Sequence, residues 1–160
     1  MIYKELIEYD MKTTCSYCGI VNRPHICPHK RKRKTDRTRT DNKIYESKEY
    51  RKLRKEVLED FNYVDVFQFY VNSITVQATT THHIIEILED ESKAIEYDNL
   101  IPLNEYASHR LVHKIYKSNG KVKKKLQKLL KTMRKDYIEG DRQLGKYNKE
   151  FKKIISPLGS

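Results

Sequence analysis

All three cysteines of this chain lie between residues 15 and 27, and none follows in the remaining 133 residues. An odd, clustered set of this kind cannot staple a fold with disulfides, so everything after the cluster must be held by a hydrophobic core. The same usage points to a reducing compartment, to thiols that are free or bound to metal, and to a cytoplasmic protein. The material for a core is modest. Leu, Ile, Val and Phe together make 39 of 160 residues, above the ~20% below which a charged chain fails to fold. The longest apolar runs reach about four residues, such as Leu100-Ile101-Pro102-Leu103, far short of the ~20 that cross a membrane. Membrane association is therefore not expected, and the first ten residues carry no signal-peptide core.

Charge is concentrated rather than spread. The net charge is +11. Lys30 to Lys55 carries 13 basic and 4 acidic residues, and Lys114 to Lys135 carries 10 basic and no acidic residues. The rest of the chain is therefore acidic by 8 charges. Two cationic blocks on an acidic background predict a polyanionic partner, most simply DNA, held through phosphates with release of counterions. The candidate contacts are Lys30, Arg31, Lys32, Arg33 and Lys34 after the cysteines, Arg51, Lys52 and Arg54 in the first block, and Lys123, Lys124 and Lys125 in the second.

Periodicity predicts a short helix over 1–12, a turn-rich module from Cys15 to His29 and a polar basic linker from Lys30 to Lys43. A helix should start at Ser47 with Tyr50, Leu53 and Val57 on one face. Val64 to Val71 reads as β-rich, Asn72-Ser73 as a hairpin turn, and Ile74, Val76 and Ala78 as the next strand. The strand signal continues from Thr79 to Ile85. After an acidic segment, Asn99 to Leu103 reads as a strand and Glu105 to Tyr116 as a helix. Val122, Leu126, Leu129, Leu130, Met133 and Tyr137 mark an amphipathic helix, and the tail past Gly140 is expected to fray. The expected parts are 1–34, 35–117 and 118–160, the last a basic helix with a mobile tail.

The six histidines form two clusters. His82 and His83 are neighbours in a predicted strand, so their side chains diverge, and one can bind a metal while the other acts as a base. His109 and His113 stand four apart on one helix face, a spacing that presents two imidazoles to one ion. Upstream, Cys15-x-x-Cys18 and Cys27, with His25 and His29 on either side, offer tetrahedral zinc chemistry. The fourth ligand is open between His25 and His29, with His25 favoured. So small a segment, poor in apolar residues, needs a metal to order it.

Thr81-His82-His83-Ile84, then Asn99-Leu100-Ile101-Pro102-Leu103, then Ser108-His109-Arg110-Leu111-Val112-His113 resembles the HNH endonucleases. The likeness is strongest to small phage-encoded members with an N-terminal Cys-x-x-Cys-Gly module. It covers about 79–116, and most of 15–116 when the cysteine module and the helix around Tyr50-Arg51-Lys52-Leu53-Arg54 are added. The resemblance implies an α+β fold with a ββα-metal finger at its core (about 79–116), flanking basic helices and a small N-terminal zinc knuckle. It implies that His83 is the general base, that His82, His109 and His113 are metal ligands, and that Asn99 braces the loop and orients His83. The expected activity is metal-dependent hydrolysis of DNA phosphodiesters, as a nick or a double-strand cut, in a phage or prophage protein of the bacterial cytoplasm. One divalent ion (Zn, Mn, Ni or Mg) would serve the active site and one Zn the cysteine module, and phage packaging machinery is a possible partner. The alternative is a catalytically inactive zinc-containing DNA-binding protein.

Two features depart from the family pattern. Many members hold a further zinc with Cys-x-x-Cys pairs around the finger, whereas this chain has Val66, Phe67 and Phe69 there and should pack apolar side chains instead. The interval from Leu103 to His109 is one residue longer than the pattern, which leaves the register of His109 and His113 open.

Overall fold

The computed structural model describes residues 12–22, 25–29 and 40–158. The chain divides into two compact units, Met1–Asp36 and Arg37–Ser160. The helix expected over 1–12 falls outside the described residues except for Lys12, which opens a strand.

In the first unit, β1 (Lys12–Cys15) and β2 (Gly19–Asn22) form an antiparallel hairpin in which Cys15 faces Gly19 and Lys12 faces Asn22. Gly19 sits at φ +76°, the left-handed conformation that closes a tight turn at no steric cost to glycine. No described residue of this unit is buried. The hairpin thus lacks a core among those residues, and Ile20 and Ile26 stand 75% and 92% exposed.

The second unit is α+β, mostly helical around one small sheet. Helix α1 (Thr40–Glu46) begins inside the stretch expected to be linker. Helix α2 (Lys48–Asp60) starts where predicted: the Ser47 hydroxyl accepts from the Tyr50 N–H at 3.1 Å, and Tyr50 and Val57 turn inward. The β-rich reading of 64–78 is not what forms. Residues 66–72 are helical, with a π-helical turn at Gln68–Asn72, and the neighbouring segments keep a single bridge between Val64 and Gln77. Asp65 explains the difference, because its carboxylate accepts from the Gln68 N–H at 2.8 Å as a helix cap does. Val66, Phe67, Phe69, Tyr70 and Val71 are all buried, and a short run apolar on every side carries no period to tell helix from strand. The expected apolar packing of Val66, Phe67 and Phe69 is present.

Strands β3 (Thr80–His83) and β4 (Leu100–Leu103) pair antiparallel, with His82 opposite Ile101 and His83 opposite Leu100. A π-helical turn (Glu105–His109) leads into α3 (Arg110–Ser118), and α4 (Gly120–Ile138) follows. The order is thus strand, loop, strand, helix. Asn119 caps α4 by accepting from the Lys121 and Val122 N–H groups, and the predicted stripe from Val122 to Tyr137 is buried.

The tail does not fray. Helix α5 (Asn148–Ile155) buries Phe151 and Ile154, and Tyr147 just before it is buried too. The Tyr147 N–H donates to the Tyr70 carbonyl at 2.9 Å, Asn148 Nδ2 donates to the Val71 carbonyl at 2.7 Å, and Phe151 meets Phe67 edge-on. Gly145, at φ +72°, lies where any side chain would strike the Ser73 hydroxyl. The spacing Tyr147, Phe151, Ile154 is helical, and its apolar stripe covers the π-helical turn at 68–72. Among the described residues no helix is long and apolar enough to cross a membrane.

Candidate metal centres

The hairpin brings Cys15, Cys18, His25 and Cys27 together so that their ligand atoms all lie within 4.8 Å of one another. The three thiols are unbridged, and Cys18 Sγ stands 3.6 Å from Cys27 Sγ. Backbone N–H groups of Tyr17 and Cys18 draw the Cys15 thiol down to about 6, while burial among its neighbours pushes Cys18 up to about 11. A thiolate is thus favoured at one sulfur and resisted at the next, the state a bound cation relieves. His25 Nε2 is buried without a hydrogen-bond partner, which fits a ligand atom facing an ion. His29 is exposed and outside the group, so of the two candidates His25 is the one assembled with the sulfurs. This four-residue set could bind a metal such as zinc.

The second grouping is His82 from β3, His109 from the π-helical turn and His113 from α3, again with ligand atoms within 4.8 Å. Ring centroids lie 4.8 Å apart for His82 and His113 and 4.5 Å apart for His109 and His113. His82 Nε2 is buried with no partner, so the donor set fits a divalent ion. His109 Nδ1 faces Glu105 Oε2 at 3.0 Å and His113 Nδ1 faces Glu86 Oε1 at 3.7 Å. The Glu105 carboxylate on the far nitrogen fixes the His109 ring, the Glu86 carboxylate stands beside the far nitrogen of His113, and both leave the Nε2 lone pairs for a ligand. Burial lowers the pKa of all three rings, that of His82 furthest, with the neighbouring imidazoles adding to the effect on His82 and His109. They are therefore neutral at pH 7, as metal ligation requires.

The long interval before His109 has a local explanation. The His109 N–H donates to the Asn104 carbonyl five residues back at 2.9 Å, and such a turn holds one residue more than an α turn. His109 and His113 both reach His82 in consequence. Asp65 fixes this turn: its Oδ2 accepts from the Asn104 N–H at 2.7 Å and from the Ser108 hydroxyl at 2.6 Å. Gln68 Nε2 donates to the Ala107 carbonyl and the Ser108 hydroxyl, both at 3.0 Å, and Asn72 donates to Gln68.

His83 points away from the trio. It is buried and stacked on Tyr50 at 5.4 Å, and its Nε2 lies 2.9 Å from the Ala94 carbonyl. A carbonyl only accepts, so Nε2 carries the proton and Nδ1 the lone pair. Burial lowers its pKa and keeps that lone pair unprotonated. Asn99 reaches the Ile85 N–H (2.7 Å), the Ile85 carbonyl (2.9 Å) and the Lys93 carbonyl (2.9 Å), bracing the loop that presents Ala94 to His83. The four histidines border one cavity of about 240 Å³, with Asp41, Tyr45, Glu86, Leu88 and Lys117 among its other walls.

The basic candidates sort by exposure. Arg51 and Lys52 on α2, and Lys124 and Lys125 on α4, are exposed. Arg54 is half-buried and donates to the Thr79 carbonyl at 2.8 Å. Lys123 is turned inward, with Nζ 2.7 Å from Glu86 and 2.8 Å from Glu89; it belongs to the fold rather than to an open phosphate-binding face. Lys30, Arg31, Lys32, Arg33 and Lys34 lie outside the described residues. The sequence gives no signal for Asp65, Glu86 or Glu105, none of which sits in a motif, and it marks Lys123 as a phosphate contact where the structure pairs it with Glu86 and Glu89. Compared with known proteins, the chain matches no family model, and no curated protein or solved structure matches it either.

Proposed function

We propose that this chain is a metal-dependent HNH DNA endonuclease built on a ββα-metal finger. The observation that carries the proposal is the division of labour between adjacent histidines. His82 converges with His109 and His113, while His83 at the same cavity keeps a proton on Nε2 and a lone pair on Nδ1. On this reading His83 Nδ1 takes the proton of an attacking water, and Ala94 and Asn99 hold the ring for that transfer. A divalent ion held by the three histidines would supply positive charge at the scissile phosphate and its departing oxygen. Three imidazoles favour Zn or Ni over Mg or Mn by ligand preference. Arg51, Lys52, Lys124 and Lys125 are offered as phosphate contacts, and the cysteine module would carry a structural zinc beside the basic run. A phage or prophage origin, work in the bacterial cytoplasm and a link to packaging are part of the same proposal.

The test is plasmid nicking by the purified protein with added Mn²⁺, Ni²⁺ or Mg²⁺, with and without EDTA. His83→Ala should lose at least ~10²-fold in rate, the scale of a missing general base, while keeping DNA and metal binding. Near wild-type nicking by that variant would remove His83 from the mechanism. Plasmid binding without nicking under every metal would leave the alternative, a zinc-containing DNA-binding protein.

A further inference from the structure

We propose that Lys123 is a positioning residue for the histidine centre, acting through Glu86 to set His113. This inference rests on reading His82, His109 and His113 as a metal centre.

One carboxylate stands between the two residues. Glu86 Oε2 receives Lys123 Nζ at 2.7 Å, and Glu86 Oε1 faces His113 Nδ1 at 3.7 Å. Lys123 also holds Glu89 at 2.8 Å, and Gln127 one turn further along α4 donates to the same carboxylate at 3.0 Å. An ammonium has three donors and no acceptor, so one lysine can span two carboxylates that would otherwise repel. Its ammonium lies over the Tyr116 ring at 5.3 Å, and that ring meets His82 at 5.1 Å. The Tyr116 hydroxyl donates to the Ile84 carbonyl at 3.0 Å, at the start of the same loop. The Lys123 side chain is 18% exposed, whereas Lys124 and Lys125 beside it are exposed. Within a cationic helix, then, one lysine is withdrawn from solvent and spent on the loop that borders the cavity.

The physical role follows from what Glu86 would do unheld. A mobile carboxylate next to an ion can swing in as an oxygen ligand and fill a position that substrate needs. It can also swing out and leave His113 free to rotate. Lys123 restrains both motions by holding one oxygen, so that the other stays beside the far nitrogen of His113. Loss of such an outer partner costs ~10–100-fold in metal affinity.

The experiment uses the full chain with its cysteine module filled by one equivalent of Zn²⁺. Co²⁺ is then titrated in, with binding followed by calorimetry and by visible d–d absorption. The expected result is Co²⁺ binding ~10–100-fold weaker in Lys123→Met, with a changed d–d band and an unchanged circular dichroism spectrum. Lys123→Arg should recover most of the affinity, and Lys124→Met should match the wild type. Glu86→Gln keeps the shape and removes the charge, so it should weaken binding as well. The double variant should be no weaker than the worse single one, because the lysine acts through the glutamate. Wild-type affinity and spectrum in Lys123→Met, or full additivity in the double variant, would overturn the proposal. A wild-type protein that takes up no Co²⁺ beyond its zinc would overturn the underlying reading, and that result is seen before any variant is made.

Discussion

The two ligand groupings hold their side chains by opposite means. In the Met1–Asp36 unit no described residue is buried, and four donors meet across a hairpin with little else to fix them. In the Arg37–Ser160 unit the histidines stand on a strand and a helix over a core that includes Ile84, Leu100, Leu103 and Val112, each fully buried. Carboxylates and carbonyls then set the individual rings. The difference teaches that donors alone do not reveal what a metal does for a protein. Where no core exists, binding energy is folding energy; where a core exists, the ion can come and go without the fold.

Removing a sulfur should have the largest effect. Cys18→Ser should release the metal of the first unit and unfold its hairpin, since structural zinc contributes ~10–16 kcal/mol in small modules. The second unit should keep its melting transition. Amide exchange on the full chain reads both at once, and protected amides at 12–22 in the metal-free variant would show that the hairpin stands unaided.

A smaller effect probes the scaffold of the second unit. Asp65→Asn turns an amide donor toward the Asn104 N–H and the Ser108 hydroxyl, which both donate to the present carboxylate. The expected loss is ~1–3 kcal/mol of stability, measured by urea denaturation, with weaker metal binding at the histidine centre and none lost at the cysteine module. An unaffected midpoint would mean that Asp65 is dispensable to the turn.

Acid should separate the units as well. His82, His83, His109 and His113 all have pKa values lowered by burial. Below about 6.5 the unfolded chain therefore binds more protons than the folded one. In metal-free protein the stability of the second unit should be complete above that pH and fall as pH drops below it. Asp65, raised by burial, works with the opposite sign and only in the carboxylate range. A melting temperature flat from pH 8 to 5 would contradict the buried, neutral state of these rings.

The mildest change leaves both centres alone. Neutralising Lys124 and Lys125 should reduce the slope of log K for DNA against log salt by ~1 for each lysine that touches a phosphate. Metal binding and melting should not move. A slope that stays fixed would turn that face of α4 away from DNA.

What the sequence made legible were the elements with a clear period and the donors themselves. The α2 and α4 stripes and all the assembled histidines and cysteines could be read from spacing. The helical turn at 66–72 was not, because apolar side chains lie on every side of it around Gln68, and its cap, Asp65, looks like any surface aspartate. Helix α5 was hidden by the lysines among its buried residues. The groups that orient the site were hidden by distance along the chain. Lys123 and Glu86 stand 37 residues apart, and Asp65 and Ser108 stand 43 apart, so no local pattern couples them.

The π-helical turn at Glu105–His109 makes chain length a determinant of the site. Each α-helical residue turns a helix by about 100°, so a single-residue deletion between 105 and 108 would keep His109 and His113 on one face yet swing that face from His82. Substitutions in this turn would act in degrees, whereas a lost codon would separate the imidazoles outright. Lineages descending from this sequence should therefore vary in composition there far more readily than in length.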